Sequence, residues 1–259
     1  MHEHLTHSWS PTYITLSYII ATLASFAALQ LATRAGQRTG ASRTFYLLTQ
    51  GLLLGFGIWA MHFIGMLAWE PNAPVGYDLL PTVGSGLAAI VFLTASVFTL
   101  NAGAPTLPRL LTGGIIAGAG IVVMHYTGMA AVIIPAHATY APVPFALSVL
   151  IAVGAATVAL YLFSLVSGGW ARRQTASLIL TLKSAAALVM GAAIIGMHYT
   201  GMAAIQYTND PNAASVARGS DTSFLSLLVI IATMTVFAFT IVMYLMDSND
   251  IDTNFAAGD

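Results

Sequence analysis

No cysteine occurs among the 259 residues, so disulfides, iron–sulfur clusters and thiolate metal sites are excluded. Charge is scarce too: 7% of residues are charged, against about 25% in a soluble domain. The net charge of −1 gives no attraction for nucleic acid. The N-terminus, "MHEHLTHSWSPTY", lacks the basic region that precedes the apolar run of a secretory leader. Residues 13–33 therefore read as a retained first membrane helix. What fills the chain instead is apolar side chain, 58% of the total, and this argues for an integral membrane protein.

Seven stretches reach the length of a bilayer crossing, near 13–33, 44–69, 79–100, 110–134, 145–167, 184–206 and 223–246. The breaks between them are rich in Pro, Gly and Asn, as in "EPNAPVGYD" and "PAHATYAPVP". Arg34, Arg38, Arg43, Arg109, Arg172, Arg173 and Lys183 fall on one side if the spans alternate, and only Arg218 on the other. The positive side is cytoplasmic. The expected fold is an all-α integral membrane domain with seven transmembrane helices, N-terminus outside and C-terminus cytoplasmic. Residues 13–246 form the domain, 1–12 a periplasmic histidine-containing tail and 247–259 a cytoplasmic acidic tail. Trp69, Tyr77, Tyr140 and Tyr207 fall near the outer boundary, where aromatic belts form.

One pattern recurs three times: "WAMHFIGMLAW" at 59–69, "VVMHYTGMAAV" at 122–132 and "IGMHYTGMAAI" at 195–205. The copies lie in spans two, four and six, which run in the same direction. Spans one and two, three and four, and five and six then read as three parallel two-helix repeats, with the seventh helix an addition. His62, His125 and His198 each precede the expected outer helix end by seven to nine residues, a shared depth of about 10–13 Å. Met61, Met124 and Met197 precede the histidines, and Met66, Met129 and Met202 follow by four. Gly55, Gly118 and Gly191 precede by seven, and Gly65, Gly128 and Gly201 follow by three. Residues three, four and seven apart share a helix face, so each histidine shares a stripe with one methionine and two glycines, and the glycines admit close helix packing.

A lone intramembrane histidine is often a hydrogen-bond donor between helices, and methionine a gap filler. Three copies at one depth point instead to a metal site. Imidazole with thioether is a soft set that suits copper, Cu(I) above all; zinc on three histidines and haem on two remain open. Tyr126, Thr127, Tyr199 and Thr200 are candidates to orient a ligand, although the first copy has Phe63 and Ile64 there. His2, His4, His7 and His137 read as solvated polar groups; the alternative is that the tail "HEHLTH" hands metal to the site.

These motifs and their layout resemble the MHYT domain, a bacterial integral-membrane sensory module, over essentially the whole apolar chain. The resemblance implies copper bound by Met61 and His62, Met124 and His125, and Met197 and His198. It implies sensing of a diatomic gas (O2, CO or NO) or of redox state, and residence in the bacterial inner membrane. It further implies a cytoplasmic output domain or partner, cyclic di-GMP enzymes among them, and no catalytic constellation of the domain's own. Met66, Met129 and Met202 are added to the ligand set by helix geometry.

Two other functions compete. A zinc hydrolase needs a nearby acid, and the closest are Glu70 and Asp78. A copper transporter or chaperone needs a polar path inward, but the inner halves of the motif helices offer little beyond Thr49, Gln50, Thr112 and Ser184. The seventh span has no lysine for a retinal Schiff base.

Overall fold

The structure, a computed structural model, describes residues 5–209, 225–239 and 241–242. His2, His4, Arg218 and the tail 247–259 lie outside them.

The helices begin where the sequence supplies a starter. Pro11, Pro108 and Pro142 stand in the first turns of α1 (Pro11–Gly36), α4 (Leu107–Ala130) and α5 (Pro142–Ser167), where a missing N–H costs nothing. The Asp78 side chain accepts from Leu80 N at 3.0 Å and caps α3 (Leu79–Asn101). Thr175 caps α6 (Ala176–Ala204) in the same way. Gly40, at φ +57°, makes the sharp turn from α1 into α2 (Gly40–Leu67), a conformation that a side chain would oppose. All six of these helices are long and apolar enough to cross a membrane. A seventh, α7 (Leu225–Phe239 as described), is shorter. Large apolar side chains point outwards, with Leu80 82% and Val143 76% exposed, and only lipid tolerates such a surface. The chain is a multi-pass, all-helical membrane protein apart from short strands.

Those strands were not expected. β1 (His7–Trp9) pairs antiparallel with β2 (Trp69–Pro71), β3 (Gly76–Tyr77) with β4 (Val132–Ile133), and β5 (Ala136–Tyr140) with β6 (Ile205–Asn209). Each pair joins the segment before an odd helix to the segment after the even helix that follows it. The repeat is thus a closed β–α–α–β unit, used three times. Within units α1 packs on α2, α3 on α4 and α5 on α6; between units α2 meets α3, α4 meets α5, and α6 returns to α1. The ring closes with α2, α4 and α6 touching one another inside it. α7 lies against the backs of α1 and α2, with Val236 packed among Ala24, Ala27, Leu31 and Leu53.

Several boundaries move. The motif helices end at Leu67, Ala130 and Ala204, short of 69, 134 and 206, because the chain turns into β2, β4 and β6. The histidines therefore lie five or six residues from the helix ends, about 8–9 Å along the axis. α6 starts at Ala176 and not near 184, so Lys183 is no terminal residue: it is buried inside the bundle and donates to Gln30 of α1. Arg34 is likewise buried within α1. Trp69 and Tyr77 are buried, and Trp69 stacks on Tyr207 at 5.1 Å, so these rings fill the strand cap and do not form a lipid belt.

Candidate metal centre

The motif helices bring His62, His125 and His198 together at the centre of the ring, each at most 1% exposed. Ring centroids are 5.0, 5.0 and 5.2 Å apart and the planes are close to perpendicular, so the rings meet edge to face. His62 Nδ1 lies 3.1 Å from His198 Nδ1 and 3.2 Å from His125 Nδ1. One ligand atom from each ring falls within 4.8 Å of the others, and among the described residues no carboxylate joins the cluster.

This convergence cannot be satisfied by hydrogen bonds alone. A neutral imidazole has one N–H and one lone pair. His62 Nδ1 faces two other Nδ1 atoms; as a donor it serves one, and as an acceptor it has one lone pair for two. A cation resolves the conflict by taking all three lone pairs at once. The two distances from His62 fit: metal–imidazole bonds of about 2.0–2.1 Å at near-tetrahedral angles put nitrogens about 3.2–3.4 Å apart.

With Nδ1 turned inward, Nε2 turns outward, and it meets glycine. Nε2 of His198 lies against Gly65, that of His62 against Gly128 and that of His125 against Gly201. A Cβ on Gly65 would stand 2.8 Å from His198 Cδ2, and closer still to Nε2. Each glycine thus seats the histidine of the preceding copy, in a cycle around the axis. The three Nε2 atoms are buried, with His125 and His198 facing the backbone of Gly201 and Gly65. Gly55, Gly118 and Gly191 sit elsewhere. They face Ile90 of α3, Val153 of α5 and Thr22 of α1, so they join units and do not touch the centre.

Three of the four hydroxyl candidates, Tyr126, Tyr199 and Thr200, are engaged away from the triad. Tyr126 Oη meets Ser148 Oγ of α5 at 2.8 Å, and Tyr199 Oη meets Ser17 Oγ of α1 at 3.2 Å. Thr200 donates to Gly196 O of its own helix. In the first copy, where Phe63 has no hydroxyl, Ser85 of α3 receives the Trp59 indole N–H instead, at 3.2 Å. Trp59, one turn before the histidine, thus takes the tethering role of the absent tyrosine. The sequence did not mark it, since Val122 and Ile195 stand at the equivalent positions.

The methionines Met61, Met124, Met197, Met66, Met129 and Met202 are all buried around the triad. Met129 and Met202, one turn beyond their histidines, line a cavity of about 590 Å³ under the strand cap, together with His7, Trp9, Trp69 and Tyr207. On the other side of the triad Ile58, Ile121 and Ile194, each one turn before a histidine, form an apolar ring. Leu54, Ala117 and Met190 form the next ring, and an apolar-lined cavity of about 40 Å³ opens beside Ala117. Glu70 is exposed in β2 and accepts from Ser8 Oγ at 3.2 Å; Asp78 is committed to its cap. His137 is exposed in β5.

Fold and centre together define a membrane protein of three like units around a buried histidine cluster. The profile of one family, described as the bacterial signalling protein N terminal repeat, matches residues 55–113, 118–176 and 191–250. The chain belongs to this family, MHYT. It is 38% identical over 244 residues to the bifunctional diguanylate cyclase/cyclic di-GMP phosphodiesterase MucR of Pseudomonas aeruginosa, covering 94% of this chain and 35% of MucR. It is 39% identical over 202 residues to the cyclic di-GMP phosphodiesterase NbdA of the same organism, covering 76% of this chain and 24% of NbdA. It is 35% identical over 210 residues to the signaling protein YkoW of Bacillus subtilis, covering 81% of this chain and 25% of YkoW. The chain therefore spans about a third of the first relative's length and about a quarter of the others'. No solved structure matches it.

Proposed function

We propose that the chain is the sensory module of a bacterial inner-membrane signalling protein, and that it binds copper, as Cu(I), through Nδ1 of His62, His125 and His198. The observation that carries this reading is the convergence of three buried Nδ1 atoms that cannot satisfy one another. The absence of any described carboxylate from the cluster, and the burial of six thioethers around it, favour a soft ion over zinc. Haem is disfavoured, because rings with Nδ1 atoms 3.1 Å apart leave no room for a porphyrin between them.

When bound, the ion supplies a Lewis-acidic centre able to take a small ligand. The chain's own residues fix its surroundings. The three imidazoles are oriented by glycines of the neighbouring copies, and the isoleucine ring keeps water away on one side. The 40 Å³ cavity, lined by apolar side chains of both rings and of α5, suits a small apolar molecule, in keeping with a diatomic gas as the signal. A change at the centre would shift three helices, and the opposite ends of two of them carry Arg43 and Arg109, on the side assigned to the cytoplasm by the positive-inside rule. The relatives' names support cyclic di-GMP turnover as the output, in the same polypeptide or a partner.

Transport is the weaker reading, because the side chains next along the motif helices, Ile58, Ile121 and Ile194 and then Leu54 and Ala117, are aliphatic and offer an ion no ligand. Hydrolysis is weaker still, since Glu70 and Asp78 are engaged elsewhere. Elemental analysis of detergent-purified chain tests the proposal. Copper should be present in the wild type and lost when His62, His125 and His198 are all replaced by alanine. Equal copper in both would end it.

A further inference from the structure

The strand cap and the triad occupy one end of the bundle. At the other end, where the α1–α2 turn, the α3–α4 loop and the end of α5 meet, lies a cavity of about 350 Å³. All three units build it. Arg38 and Arg43 come from the first, Asn101 and Gly103 from the second and Ser167 from the third. The first and third units touch at its wall, where a Cβ added to Gly36 would stand 2.9 Å from Ser167 Cβ. Charge around the cavity is of one sign. Among the described residues the carboxylates are Glu70 and Asp78, both at the strand-cap end. Arg38 is exposed and Arg43 half-buried. Arg43 is held in place: its Nη2 donates to Asn101 O at 3.1 Å and to Asn101 Oδ1 at 3.0 Å, and Asn101 Nδ2 donates in turn to Val97 O at 2.9 Å. A second guanidinium flanks the same loop. A Cβ on Gly103 would stand 2.7 Å from Arg109 Nη1, which donates to Ala104 O.

Basic side chains near a helix C-terminus commonly serve its last carbonyls, and this accounts for the bonds to Asn101 O and Ala104 O. It does not account for Arg38, nor for the rest of Arg43. Both bonds of Arg43 use one terminal nitrogen, whereas a guanidinium has five N–H donors. The hydroxyls of Ser164 and Ser167 are spent on carbonyls of their own helix, so the arginines are the cavity's main donors. Guanidinium forks match the oxygens of a phosphate group. Leu100 and Pro105 in the wall offer apolar surface to the remainder of an ester. Basic pockets between transmembrane helices at the cytoplasmic boundary take phosphate-bearing headgroups in other membrane proteins. We propose that this cavity binds the phosphate group of an ester, carried by a soluble nucleotide or by an anionic lipid, with Arg43 as the preset anchor and Arg38 as the second charge. The site does not depend on the copper reading of the triad.

Three probes test this on the full chain. Inorganic phosphate and AMP are added to protein in zwitterionic nanodiscs and read by equilibrium dialysis. Phosphatidylglycerol is built into otherwise identical nanodiscs, and its retention on extracted protein is read by mass spectrometry. Two double variants remove equal charge from the same end: Arg38→Gln with Arg43→Gln in the cavity, and Arg172→Gln with Arg173→Gln outside it. AMP or phosphatidylglycerol should bind the wild type with about tenfold higher affinity, or more, than the first double variant. The second double variant should behave as the wild type. Binding of AMP identifies a soluble ester, and retention of phosphatidylglycerol a headgroup; either supports the site. No arginine-dependent binding of AMP or phosphatidylglycerol overturns it, even if inorganic phosphate binds. Equal losses in both double variants also overturn it, because the attraction would then belong to the whole basic face. The acidic tail is a rival occupant. If Asp247→Asn, Asp250→Asn and Asp252→Asn together confer binding that the wild type lacks, the tail fills the cavity and the ester proposal fails. A measurement on unaltered protein guards against misfolded variants. The bound probe should slow modification of Arg43 by phenylglyoxal several-fold and leave Arg172 unaffected, and unchanged rates at both overturn the site.

Discussion

At the scale of single residues, the arrangement depends on what glycine leaves out. Gly65, Gly128 and Gly201 each leave space for an imidazole from the preceding copy, so a methyl group there must displace a ligand. Gly128→Ala should lower copper affinity about 10–100-fold, the range seen when groups that orient a metal ligand are disturbed. Gly196→Ala, which meets nothing within 4 Å, should leave affinity unchanged. Competition with a chelator of known affinity checks both. Ser148→Ala should cost about 0.5–1.5 kcal/mol of stability through the lost Tyr126 bond, read as an earlier unfolding transition in detergent, with copper stoichiometry intact. The histidines were legible in the sequence because helix geometry ties position to face. The partners of the glycines and of Trp59 were not, since they lie on other helices and no local periodicity reports a neighbour's side chain.

Elements tell a similar story. The six long helices were readable from apolar length alone, to within a few residues at most ends. The strands were not, because runs of two to five residues carry too little alternation and their partners lie far off in the chain: Tyr140 is opposite Ile205, and His7 opposite Pro71. The sequence reading put β1 in the polar tail, β4 inside the fourth span and β3 and β5 in breaks rich in Pro, Gly and Asn, with β2 and β6 straddling a span end. The caps are apolar inside. Burial pushes the phenols of Tyr77 and Tyr207 well above their usual value, and Tyr207 is pushed further by neighbouring Tyr140 and Tyr77. A raised value favours the neutral form in the folded state, so the stability it contributes is present below the ordinary phenol value of about 10 and is lost as pH rises towards the folded value. Alkaline titration in detergent should therefore show the phenols of Tyr77 and Tyr207 ionising last, coincident with loss of near-ultraviolet ellipticity from Trp69. Tyr77→Phe should remove one of them.

Over the whole molecule, the threefold plan followed from the repeated motif, whereas the way the ring closes did not. That α6 returns to α1, and that α7 lies behind α1 and α2, depends on packing between distant segments. The closed ring has an apolar axis, with isoleucines beneath the triad. Proteoliposomes loaded with a Cu(I)-sensitive dye should accordingly show no influx above protein-free vesicles. Ala117→Val, which reduces the apolar cavity, should raise stability by up to about 1 kcal/mol by the usual cavity scaling. It should also weaken the response of the centre's spectrum to gas while copper content stays the same.

The knotting of each unit by its own pair of strands bears on how the protein is made. β1, α1, α2 and β2 are all translated by residue 71, so the first unit can seal itself in the bilayer before the second has left the ribosome. The next unit seals with β4 and the last with β6. The imidazoles arrive one per unit, and the third, at residue 198, comes near the end of the third unit's synthesis. A nascent chain therefore presents only one or two nitrogens until its final unit docks, and the capture of an ion becomes a signal that assembly has finished.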